Sequence, residues 1–103
     1  MVMTIPHNEA RRYLRFPPDP RDVAFLDFSQ KKDKFTEELA AIVVDVAPKG
    51  GCSLVFRLPK EMQIAEGQRC RIKVGDMLPL MAELVWKKEI DKDIYRCGFM
   101  FLH

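Results

Sequence analysis

The stretch Arg69-Cys70-Arg71-Ile72-Lys73-Val74 sets apolar side chains at every second position with cations between them, the period of an extended strand with one buried face. The same alternation returns along the chain. Ala24, Leu26 and Phe28 alternate with Phe25 and Asp27, while Cys52, Leu54, Phe56 and Leu58 take every second place. Ala82, Leu84 and Trp86 alternate with Met81, Glu83, Val85 and Lys87. Tyr95, Cys97, Phe99 and Phe101 alternate with Arg96, Gly98 and Met100. A further segment, residues 39–46, is rich in β-branched side chains and reads as a strand buried over much of its surface. Turn chemistry separates these segments: a charged loop at 29–34, a tight turn at Pro48-Lys49-Gly50-Gly51, a hairpin signal at Gly75-Asp76 and a polar turn over 88–93. Residues 59–67 are longer and less regular, with room for one helical turn.

Many short strands at near-even spacing leave edges that must be hidden, and closure into a barrel hides them. At 103 residues the chain fits one domain with one modest core. The expected fold is therefore all-β, a six-stranded antiparallel β-barrel over residues 21–103. Residues 1–20 differ: they carry Arg11, Arg12 and Arg15, then Pro17, Pro18 and Pro20, which block a continuing helix. They read as a flexible arginine-bearing arm ahead of the barrel.

A composition of 48% hydrophobic and 31% charged residues is that of an ordinary soluble domain. The formal charge of +2 is too weak to imply DNA, RNA or a membrane surface as partner, so any anion recognition must be local. No apolar run approaches the roughly 20 residues needed to cross a bilayer, and Pro6 and His7 interrupt the N-terminal one, which leaves no signal-peptide core. Cys52, Cys70 and Cys97 are odd in number, lack CxxC spacing and sit in apolar segments. They read as reduced core thiols of a cytoplasmic protein, with no metal. No Ser-His or Cys-His pair and no phosphate-binding loop points to an enzyme or to a cofactor. His7 and His103 stand at the termini and carry no role.

Two clusters bear chemistry. The first is Arg11-Arg12-Tyr13-Leu14-Arg15, an RxxxR; the second is Asp45-Val46-Ala47-Pro48-Lys49-Gly50, followed by Gly51. Taken singly, the first is what a solvated basic arm looks like, and the second is ordinary turn chemistry. Trp86 reads as a core or rim residue.

Together the clusters resemble the two signatures of the PilZ family, RxxxR and (D/N)xSxxG, with Ala47 in place of the serine. The strings "IAEGQRCRIKV", "ELVWKKE" and "YRCGFMF" resemble the family's middle and late strands, so the likeness spans about residues 9–102. It implies a PilZ-type barrel that receives cyclic di-GMP and couples its binding to a protein partner. The implied ligand-binding residues are Arg11, Arg12, Arg15, Asp45, Ala47, Gly50 and Gly51. The chemistry is coherent, because a planar Arg fork matches the O6 and N7 acceptors of guanine or grips a phosphate. Asp45 is placed to accept from the guanine N1 and N2 donors, and the glycines permit close backbone approach.

The chain also departs from the family. Ala47 lacks a hydroxyl, which leaves open an adapter that has lost the ligand. Either Gly50 or Gly51 fits as the motif glycine. Family members often continue into a helix that packs on the barrel, and none follows here; an apolar patch beside Phe99, Phe101 and Leu102 is the expected consequence, with a homo-oligomer as one outcome.

Overall fold

The structure, a computed structural model, describes residues 22–29 and 34–102. Its strands are β1 (Val23–Asp27), β2 (Leu39–Ala47), β3 (Gly51–Arg57), β4 (Arg69–Val74), β5 (Leu80–Asp91) and β6 (Ile94–Phe101). They close in the order β1-β2-β3-β6-β5-β4, with β4 returning to pair with β1. Every neighbouring pair is antiparallel. The all-β, six-stranded antiparallel barrel expected from the alternation is what the chain forms. Arg11, Arg12 and Arg15 lie outside the described residues.

One face of each strand lines the interior. Ala24 and Leu26, Leu54 and Phe56, Ile72 and Val74, Ala82 and Leu84, and Phe99 and Phe101 are all buried. Cys52, Cys70 and Cys97 join them as free, buried thiols. The connection from β3 to β4 caps one end of the barrel by inserting Leu58 and Ile64 into the core. It is held by bonds from the Leu58 amide to the Asp93 carbonyl (2.8 Å) and from the Gly67 amide to the Leu84 carbonyl (2.7 Å). It contains turns and no helix, so the room for a helical turn goes unused. Gly75-Asp76 does form the centre of a turn, closed by the Met77 amide on the Val74 carbonyl at 3.0 Å.

Four expectations need correcting. Strand β2 is not buried on both faces: Leu39, Ala41 and Val43 point inward, while Ala40 and Ile42 are exposed, Ile42 at 61%. The polar run 88–93 is mostly strand, because β5 continues to Asp91 and only Lys92-Asp93 turn, with Asp93 at φ 60°. That run is polar because this end of β5 stands in solvent, not because it bends. Phe99 and Phe101 are buried inside the barrel at 4% exposure each and cannot form an outer patch; the exposed apolar residue of β6 is Met100.

The last concerns Asp27, which alternation sets opposite Leu26 on a solvent face. Its side chain is fully buried, with Ser29 and Thr36 bonded to it. Its two oxygens accept from the Ser29 amide (2.8 Å), the Ser29 hydroxyl and the Thr36 amide (2.8 Å). Burial opposes ionisation, yet these hydrogen bonds and the charge of Arg71, its partner across β4, together hold the carboxyl below its ordinary value.

Candidate functional site

Two β-bulges build the site. In β2 the pairing with β3 shifts between Val43 and Asp45. Val43 faces Leu54, and an unshifted register would bring Asp45 opposite Cys52, pointing into the core. The extra residue instead sets Asp45 opposite Ser53, on the outer surface. In β5 the pairing with β6 shifts between Leu84 and Trp86. Leu84 faces Phe99, and an unshifted Trp86 would oppose the buried Cys97; it opposes Gly98 instead. A bulge re-aims side chains in this way because one added residue reverses the face of everything beyond it. Trp86 is therefore neither core nor rim. It lies on the outer face, 39% exposed.

The two re-aimed residues end one cross-strand row. Asp45 pairs with Ser53, Ser53 with Gly98, and Gly98 with Trp86, across β2, β3, β6 and β5. The row crosses an open trough of about 490 Å³, also lined by Ala47, Gly51 and Arg96. That volume falls within the roughly 300–1,000 Å³ of small-molecule sites. Gly98 forms the floor under the indole: a Cβ there would stand 2.1 Å from Trp86 Nε1. Within the trough the Arg96 Nε donates to Ser53 Oγ at 3.2 Å. The Asp45 carboxylate has no hydrogen-bonding or ionic partner among the described residues.

The two adjacent glycines separate by role. Gly51 lines the trough, where a Cβ would fall 2.0 Å from the Phe99 carbonyl oxygen, so only glycine lets β3 and β6 approach there. Gly50 lies in the turn, its amide donating to the Ala47 carbonyl at 2.8 Å, and its nearest Cβ contact would be an ordinary 3.7 Å. Neither needs a left-handed backbone. Of the site residues read from sequence, Asp45, Ala47 and Gly51 come together, Gly50 stands aside, and Arg11, Arg12 and Arg15 lie outside the described residues. Ser53, Arg96 and Gly98 were not anticipated. A glycine inside a strand signals close approach, and Gly98 twelve residues after the lone Trp86 was the available clue.

Other hollows are less equipped. The one beside the β3–β4 connection gathers Lys60, Lys87 and Tyr95, but the Lys87 ammonium already donates to the Ile64 carbonyl at 2.7 Å. An outer groove lined by Val23, Ala40, Ile42, Val55 and Ile94 is apolar, with Arg57 at its edge. No cluster of three or more His, Cys, Asp or Glu side chains suited to a metal ion occurs among the described residues.

Among known proteins, no family model, no curated protein and no solved structure matches this chain. The class defined by fold and site is thus a closed antiparallel six-stranded barrel with an outer-face trough that joins an acceptor carboxylate, a guanidinium and an indole.

Proposed function

We propose that the trough binds cyclic di-GMP and that the chain is a non-enzymatic receptor module of the PilZ type, passing ligand occupancy to a protein partner. One observation carries the reading: Asp45, Ala47 and Gly51, singled out by the sequence motif, converge on a single trough that also holds an aromatic side chain and a cation. Asp45 accepts from the N1 and N2 donors of a guanine. The exposed indole of Trp86 offers a base an apolar face, a contact worth about 1–3 kcal/mol. Arg11, Arg12 and Arg15 bring guanidinium groups to the phosphates and to the O6 and N7 edge.

The runner-up is a PilZ-like adapter that works through protein contacts alone. Ala47 favours it, since a methyl stands where the motif has a hydroxyl. Against it, Ser53 sets a hydroxyl in the same trough, directly across from Asp45.

Calorimetric titration of the full chain with cyclic di-GMP and with cyclic di-AMP decides between them. Saturable binding of the guanine dinucleotide, with the adenine one at least tenfold weaker, is the expected result. Adenine presents a donor where guanine presents O6, and so fails against both Arg and Asp45. No saturation at high micromolar cyclic di-GMP would leave the adapter reading standing.

A further inference from the structure

Arg96 belongs to neither sequence motif, yet its surroundings are those of an anion site. On the outer face it stands directly opposite Lys88 of β5, a cross-strand pair of like charges. Such a pair costs stability unless a counter-charge lies near. No carboxylate among the described residues pairs with either one. The Arg96 guanidinium is nonetheless held, because its Nε donates to Ser53 Oγ. That bond turns it across β6 toward the row where Asp45 and Trp86 stand, and leaves both terminal amino groups free to fork onto two oxygens.

On the reading of the trough given above, we infer that Arg96 is a ligand-binding cation supplied by the barrel itself, gripping a phosphodiester of the bound dinucleotide. Ser53 is its positioning residue, and Lys88 adds charge from the side. Asp45, paired with Ser53, faces the base, and Arg96, bonded to the same Ser53, faces the phosphate, so an acceptor and a cation flank one hydroxyl in the trough.

The test is the affinity for cyclic di-GMP of wild type, Arg96→Gln, Arg96→Lys and Ser53→Ala at several salt concentrations, with the melting temperature of each unliganded protein. Arg96→Gln is expected to weaken binding tenfold or more and to flatten the dependence of log Kd on log salt. Its melting temperature should hold or rise, because the repulsion from Lys88 is relieved. Arg96→Lys should keep the salt dependence while losing part of the affinity, since a point charge replaces a fork. Ser53→Ala should lose a few-fold with the wild-type salt dependence. A merely structural arginine would lower the melting temperature and leave the salt dependence untouched, and that result overturns the inference. Wild type that binds, together with Arg96→Gln of equal affinity and salt dependence, overturns this inference alone. Wild type that never saturates overturns the receptor reading and this inference with it.

Discussion

The indole of Trp86 lies across Gly98 of the neighbouring strand so closely that a Cβ on that glycine would meet Nε1 at 2.1 Å and Cε2 at 2.4 Å. The contact is with a side chain at an exposed position, which can swing away. Gly98→Ala should therefore cost about 1–3 kcal/mol as local overpacking, without unfolding the barrel. The indole should leave the trough. Trp86 is the only tryptophan, so its fluorescence reports this site alone. A shifted emission maximum and weakened ligand binding are expected, and an unchanged spectrum would show that the ring does not rest on Gly98.

Gly51 meets backbone where Gly98 meets a side chain. The Phe99 carbonyl cannot rotate out of the way, so Gly51→Ala must part β3 from β6 at the pair Gly51 and Met100. A loss of about 2 kcal/mol or more is expected, at the upper part of the overpacking range. Gly50→Ala makes only an ordinary contact with Ala47 and should stay within about 0.5 kcal/mol of wild type. Urea midpoints of the two variants give the comparison, and equal losses would contradict the separate roles assigned to the adjacent glycines.

Asp27 makes the fold sensitive to acid. Its folded carboxyl titrates below the ordinary value of 3.8, so ionised Asp27 contributes stability above that value. The contribution is lost as pH falls below 3.8 and through the folded value. Asp27→Asn removes one acceptor from a buried set of donors and should cost about 1–3 kcal/mol at neutral pH. Melting temperatures from pH 7 to pH 2 should show wild type and variant converging at the acid end. Parallel curves would mean that Asp27 is not the group responsible.

Ala47 can be restored to the motif. A serine there would face the trough beside Asp45, and one added hydrogen bond to a bound ligand is worth about 0.5–1.5 kcal/mol. Ala47→Ser should tighten cyclic di-GMP binding by up to roughly tenfold. Weaker binding in calorimetry would show that Ser53 already serves the polar group in question.

The strand alternation made the barrel legible because period two admits one buried face, and the cysteines fell into place as members of that face. The bulges were not legible. One extra residue in β2 and one in β5 carry no compositional mark, yet they decide that Asp45 and Trp86 face outward. The motif singles out Asp45, which lines the trough, whereas alternation alone reads Trp86 as a core or rim residue and it stands on the outer face. Asp27 escaped for another reason: one of its oxygens is bonded by the amide of Thr36, nine residues on, and local pattern does not record such contacts. Arg96 looked like one more exposed cation of a half-buried strand until the register set it opposite Lys88 and beside Ser53.

The buried thiols offer a readout that joins fold to function. Burial pushes Cys52 and Cys70 up to about 12 and Cys97 up to about 11, with neighbouring thiols and Asp27 adding to the effect at Cys70 and Lys87 partly opposing it at Cys97. The reactive species is the thiolate, so in the folded barrel all three are almost inert near neutral pH. A disulfide reagent should label them only when the barrel opens, all three together, as members of one core. Any ligand that binds the closed barrel alone must slow that labelling, by about 2.7 kcal/mol at a hundredfold excess over Kd, or roughly a hundredfold in rate where labelling follows the open population. Cyclic di-GMP should give this protection, cyclic di-AMP much less. Rapid labelling of a single cysteine in the native protein would show instead that its part of the wall opens independently of the rest.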